Sequence, residues 1–195
     1  MARLLTALFP LVTFVPLALA APVPTHLMPR DPPLTFPTAV GTKWVYELPG
    51  GGEQTIVISA VKEEKDGSKL VTMEYEEDGK RAPYQVRRVS DRGIFVLTDG
   101  GRKYEEPLCL VKLPHRAGAT WDTNLRQVGD TDDQKGRRTA GAFEAIRVPA
   151  GRFSAASVKW EIDGGREGTN WYVNGIGLVK AGDSMALKSF TVGKE

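Results

Sequence analysis

Two histidines, a single cysteine and a spread of carboxylates are the side chains of this 195-residue chain that could do chemistry beyond packing. A metal site built on imidazole or thiolate needs several such groups within reach of one another. His26, His115 and Cys109 are the whole supply, so neither a metal nor another cofactor is expected. A histidine-dependent triad would have to use His115, and no Gly-x-Ser-x-Gly elbow accompanies it. His115 stands between Pro114 and Arg116 and reads as a loop residue facing water. Cys109 sits in the apolar run Leu108–Val111. Desolvation there raises a thiol's pKa and works against its use as a nucleophile, so it reads as a small buried apolar residue.

Carboxylates need closer reading. Glu74, Glu76, Glu105, Glu106, Glu144 and Glu161 all lie on or beside expected strands. A glycosidase-like hydrolase needs two acids facing each other across a cleft, which spacing alone does not reveal. Strand alternation already places Glu74, Glu76 and Glu161 on a solvated outer face. Asp130, Asp132 and Asp133 with Gly136 loosely resemble a calcium loop, but Gly141 stands where the twelfth-position acid belongs. That stretch reads as an exposed acidic loop. The glycine runs Gly50–Gly52 and Gly175–Gly177 lack the Lys-Ser/Thr ending of a phosphate-binding loop. What remains is aromatic. Trp44, Tyr46, Trp160, Trp171 and Tyr172 are the candidates to line a cavity for an apolar ligand, with core packing as their other use. Trp121 belongs to the same aromatic group.

The elements that must position these residues are strands. From Gly141 to Lys180 the sequence gives a hairpin, AFEAIRV and FSAASVKWEI about the turn PAGR. TNWYVNGIGLVK then reads as one more strand and a glycine-rich bend. After the turn, Ala156, Val158, Trp160 and Ile162 share one face, with Ser157, Lys159 and Glu161 on the other. A period of two is the signature of a half-buried strand. Upstream, Lys43–Glu47, Glu53–Glu63 and Lys69–Glu76 alternate in the same way, with Val71, Met73 and Tyr75 inward. In Tyr84–Val89 the phase slips, and a bulge near Arg87-Arg88 would restore it. Leu108–Leu113 is apolar on both faces and suggests a central or doubly covered strand. Beyond Pro37 no long window shows a helical period, and turn signals recur every eight to twelve residues or so. The expectation is all-β: one domain of antiparallel, strongly curved sheet with roughly nine to eleven strands, as a half-barrel, a partly open barrel or a sandwich.

In front of that domain stand two segments of different character. In residues 1–20 Arg3 is the only charge, Leu4–Leu19 is almost wholly apolar, and Ala18-Leu19-Ala20 has the small-x-small pattern of a signal-peptidase site. Residues 21–35 are proline-rich and read as a spacer, leaving 36–195 for the β domain. Membrane attachment would arise only from an uncleaved signal, because Pro10 and Pro16 interrupt the apolar run. Without residues 1–20 the chain carries 25 basic and 24 acidic residues. So even a balance predicts no nucleic-acid partner.

Three local patterns then come together: Phe36-Pro37 with Gly41-x-x-Trp44-x-Tyr46, Val148-Pro149-Ala150-Gly151-x-Phe153, and Trp171-Tyr172-Val173-x-Gly175-x-Gly177-Leu178-Val179-Lys180. Their order, with Gly118-x-x-Trp121 before the hairpin, resembles a large group of bacterial cell-envelope proteins, many of them lipoproteins or secreted. The resemblance implies a curved antiparallel sheet, with a half-barrel among its forms, in the envelope or outside the cell, and it brings no catalytic residues. The lipidation cysteine of many members is missing at the expected cleavage point. The expectation is therefore an exported, non-enzymatic, periplasmic or extracellular β domain that binds an envelope protein or an apolar small molecule. Two alternatives stand beside it: a carrier or assembly factor for lipid-like cargo, and a carboxylate-dependent hydrolase.

Overall fold

Residues 34–194 are described by the structure, a computed structural model. The signal expected over residues 1–20, His26 and nearly all of the spacer lie outside the described residues. Alternation produces strands throughout: β1 (Lys43–Glu47), β2 (Glu53–Glu63), β3 (Lys69–Glu77), β4 (Lys80–Ser90), β5 (Gly93–Asp99) and β6 (Arg102–Lys112). They continue as β7 (Thr120–Asn124), β8 (Lys135–Val148), β9 (Gly151–Ile162), β10 (Arg166–Val173), β11 (Gly177–Ala181) and β12 (Met185–Thr191). No helix occurs among the described residues. Twelve strands exceed the nine to eleven expected, because Asn174–Ile176 reverses the chain and Met185–Thr191 adds a further strand. What reads as one strand and a bend is two strands joined by a turn.

All twelve pair antiparallel in one sheet, ordered β6-β5-β4-β3-β2-β1-β12-β11-β10-β9-β8-β7. Each neighbour follows in sequence except β1 and β12, which join the two ends of the chain. The sheet curls until its own ends meet. Tyr104 of β6 bridges to Gln127, and Glu105 N donates to Arg126 O at 3.0 Å. The Trp121 indole N–H of β7 donates to Cys109 O of β6 at 3.0 Å. The result is a nearly closed barrel. Bulges interrupt β2–β3, β3–β4, β4–β5 and β5–β6, and the one between Val86 and Arg87 lies beside the expected position. Of the two alternatives for Leu108–Leu113, central or doubly covered, the first does not hold, since its strand, β6, is terminal in the sheet order. Its second apolar face is explained by closure, since Leu110 and Leu113 pack into the core alongside Trp121.

One ladder is short. β11 and β12 pair only at Lys180↔Ala186 and Ala181↔Met185 before they diverge. Main-chain carbonyls in the opened gap need other donors, since a buried unpaired carbonyl is costly. Aromatic side chains of β1 supply them. The Trp44 indole donates to Ile176 O at 2.7 Å, and the Tyr46 hydroxyl donates to Leu178 O at 2.8 Å. The tip of the β8–β9 hairpin supplies a third, Ala150 N to Leu187 O at 2.9 Å. That hairpin bends at a bulge between Ala140 and Phe143, and Glu144 beyond the bend accepts a hydrogen bond from the outward-facing Trp171 at 2.6 Å.

Tyr46→Phe removes one donor and leaves Leu178 O buried and unpaired, so it should cost on the order of 1–3 kcal/mol of folding free energy. Urea denaturation of both proteins measures this, and equal midpoints would show that the carbonyl has another partner.

Candidate functional site

Successive turns of an up-and-down sheet alternate between the two ends of the barrel. At one end lie the β4–β5 turn and the β6–β7 connection. Residues 34–37 cross that end as a strap. Thr35 O accepts from Gly175 N at 3.1 Å, while Thr35 N–H and Oγ1–H both reach Asn174 Oδ1, at 2.9 and 2.8 Å. Leu34 and Phe36 are thereby buried, at 4% and 6% exposure. Phe36 stacks on Trp44 with ring centroids 5.7 Å apart. Gly177 must be glycine for this to happen: its φ is +89°, and a Cβ there would lie 2.8 Å from the Phe36 ring.

Between the strap and the turns lies a cavity of about 460 Å³. Leu34, Phe36, Val89, Ile94, Leu113 and Pro114 form its apolar walls, with Thr35, Ser90, Asp91 and His115 as the polar ones. Its size and predominantly apolar lining with a few polar groups are those of a small-molecule site. His115, expected to face water, is instead 7% exposed. Its ring meets Phe143 edge-on at 5.5 Å, and its Nε2 is 2.8 Å from Gly141 O. The Leu108–Leu113 run carries His115 inward as β6 ends against the core. Nδ1 is itself buried and has no partner among the described residues, so His115 meets the cavity through its ring rather than through that atom. Ser90 is occupied elsewhere, its hydroxyl contacting Gly93 O at 3.4 Å and Arg92 N at 3.2 Å. Among the described residues no hydrogen bond links it to His115.

The five aromatic candidates are not brought to this cavity. Trp44, Tyr46 and Tyr172 are 1–3% exposed in the barrel interior, the first two bonded to main-chain carbonyls. Trp160 lies over Gly168, where a Cβ would be 2.6 Å from its ring. Trp171 is on the outer face, with the Lys180 ammonium 5.2 Å from its ring centroid. The cavity walls come instead from strand ends and the strap. The sequence signals there were Phe36-Pro37 and the apolar run ending at Leu113-Pro114, neither of which marks a ligand.

Four of the six candidate carboxylates are paired with bases along the surface. Glu144 accepts from the Trp171 indole, and Glu106, on the wall of an open hollow at the other end of the barrel, has no base partner among the described residues. Glu76 meets Lys43 and Arg81, Glu74 lies 3.7 Å from Arg81, Glu105 3.2 Å from Arg126, and Glu161 2.9 Å from Lys159. The hydrogen bonds from Lys43 to Glu76, from Lys159 to Glu161 and from Arg102 to Asp130 hold those carboxyls below the usual carboxylate range. A general acid needs the opposite shift. That open hollow, wider than the cavity at about 1050 Å³, is lined by charged residues. Several of its acids are already paired, Asp122 with Arg137 and Glu167 with Lys159. Asp130, in the loop that loosely resembles a calcium site, accepts from Arg102 and from Gln127 N. No cluster of three metal-binding side chains occurs among the described residues.

A search of protein-family models finds no match to the chain, and a search of curated proteins finds none either. Among solved structures it is similar to a Bacteroides fragilis protein described as exported and as having a YmcC-like fold. That match has a TM-score of 0.52 and 16% identity, over 82% of this chain and 100% of the other. A Parabacteroides distasonis protein described as a lipoprotein gives a TM-score of 0.46 and 16% identity, over 83% and 100%. The first likeness is one of fold.

Burial raises the Cys109 thiol to about 11 from its ordinary value of 9.0, and Tyr75 to about 12 from 10.0. Between those values the unfolded chain has released protons that the fold still holds. Stability is therefore complete below about pH 9 and is lost as pH climbs through 9–12. The urea midpoint should fall between pH 8 and pH 10, and Cys109→Ala should flatten that early part of the loss while leaving the tyrosine part. An unchanged slope in the variant would show that the thiol is not the group responsible.

Proposed function

We propose that this chain is an exported, non-enzymatic barrel domain that binds a small apolar molecule in the cavity beneath the 34–37 strap. The observation that carries the reading is the cavity itself, with apolar walls from Leu34, Phe36, Val89, Ile94 and Leu113 and with Thr35, Asp91 and His115 among its polar lining residues. An apolar occupant gains by leaving water for those walls. Export is supported by the signal-like residues 1–20 and by the description of the Bacteroides fragilis protein of similar fold.

A small molecule is favoured over a protein partner by the outer surface. Val40, Val128 and Val192 are the large exposed apolar residues among those described; Val40 and Val192 lie near each other beside the β1–β12 pair, and a cluster of two valines is far smaller than a protein-docking patch. The carrier reading uses the same cavity, with a lipid chain as its occupant. A carboxylate hydrolase finds less support, because Glu74, Glu76, Glu105 and Glu161 are paired with bases and the shifted carboxyls are lowered.

Leu113→Trp would fill the cavity from its half-buried wall. The neutral probe N-phenyl-1-naphthylamine should brighten on binding the native protein and bind about tenfold more weakly, or not at all, to the variant. Unchanged circular dichroism would show that the variant folds. Equal binding by both proteins would overturn the assignment, and lipid co-purified with the native protein alone would favour the carrier reading.

A further inference from the structure

Arg138 is a buried charge with no counter-charge. It lies on the inner face of β8, 7% exposed, with Trp121 of β7 and Trp160 of β9 as its cross-strand neighbours. Its Nε and one terminal nitrogen are buried without a partner among the described residues, and no carboxylate there lies within salt-bridge distance. Its titratable neighbours are the phenols of Tyr104 and Tyr172 and the thiol of Cys109. Desolvation accordingly pushes the guanidinium below its ordinary pKa. Arg87, the other buried arginine, shows how such a group is normally accommodated. Its Nε donates to Gln85 Oε1 at 2.8 Å, and its guanidinium faces the rings of Phe36 and Tyr84 at 5.2 and 5.8 Å.

An unpaired buried charge costs several kcal/mol and is best relieved by an opposite charge brought to it. We propose that Arg138 is the anchor of a second binding position inside the barrel, one that takes the carboxylate of a small organic acid. A single negative charge balances the guanidinium, whereas a phosphate dianion would leave an excess of charge in the same dry interior. The phenols of Tyr104 and Tyr172 are its polar neighbours, the Tyr172 hydroxyl accepting from the Asn170 amide at 3.4 Å. Trp121 and Trp160 offer flat apolar surface to the body of the acid. The route inward is the seam between β6 and β7, held by the Tyr104–Gln127 bridge, its neighbouring main-chain bonds, the Trp121 indole and the exposed Arg102–Asp130 and Arg126–Glu105 ion pairs rather than by a continuous ladder. This position does not depend on the end cavity.

The test titrates the full-length chain with sodium benzoate, with benzyl alcohol and inorganic phosphate as parallel arms, following Tm and tryptophan fluorescence. Benzoate should raise Tm saturably and perturb the fluorescence, while benzyl alcohol at the same concentration should do neither. Arg138→Met should lose the response, and Arg138→Lys, which keeps the charge without the fork, should retain a weaker one. Leu113→Trp, altered only at the end cavity, should respond like the native protein. The proposal is overturned if benzoate leaves the native protein unchanged, if Arg138→Met responds undiminished, or if Leu113→Trp abolishes the effect. A response to phosphate in place of benzoate would overturn the choice of a carboxylate.

Discussion

Everything in the barrel depends on how the gap between β11 and β12 is closed. Two paired residues on each strand would leave the sheet free to split there, with the carbonyls of Ile176, Leu178 and Leu187 facing a dry interior. The chain meets this with donors from three places: the indole of Trp44, the hydroxyl of Tyr46 and the backbone of Ala150. Each of the two side chains spans β12 to reach the strand or turn beyond it. Phenylalanine at position 46 would fill nearly the same volume and leave a carbonyl unmet. The aromatic pair therefore acts as a clamp as well as filling the core.

A sheet of twelve strands also encloses more space than the roughly eight-stranded barrels that ordinary side chains fill. Long and flat residues occupy the interior in consequence: Trp44, Tyr46, Tyr172, Arg87 and Arg138 are all nearly inaccessible to solvent. Their polar ends must be met inside the barrel. Tyr46 reaches a carbonyl, Arg87 reaches Gln85 and two aromatic faces, and Arg138 reaches nothing. Width of the barrel and polarity of its interior are thus one problem, solved at Tyr46 and Arg87 and left open, among the described residues, at Arg138 and at His115 Nδ1.

The fold was legible because alternation is local. Val71, Met73 and Tyr75, or Ala156, Val158 and Trp160, announce an inner face from a few consecutive residues, and the Asp-Gly and Pro-Ala-Gly turns mark where each strand stops. Closure was not legible, because it is made by contacts distant in sequence, such as Trp121 with Cys109 and β1 with β12. His115 shows the same limit. Its flanking proline and arginine suggest water, yet the end of β6 turns it toward Phe143 and Gly141, and nothing in its neighbourhood of the chain encodes that. The cavity suffers most, since the strap, the β4–β5 turn and the β6–β7 connection contribute a few residues each. The aromatic residues that stood out in the sequence did so because they are large, and large residues are what this barrel needs at its centre.

Phe36 ties the clamp to the cavity. One side of its ring stacks on Trp44, whose indole holds the β10–β11 turn, and the strap that carries it is fastened to that same turn through Thr35 and Asn174. Phe36 also forms part of the cavity wall. A molecule pressing on the wall therefore presses on the residue that backs the Trp44–Ile176 hydrogen bond. Gly177 fixes the spacing of this stack, since any side chain there would push the ring toward the cavity. The WYVNGIGLVK segment is then constrained from two directions. Its aromatic half faces the barrel and its outer surface, and its glycines leave room for Phe36 to seat the strap. Cavity shape and barrel closure are consequently set by the same few contacts.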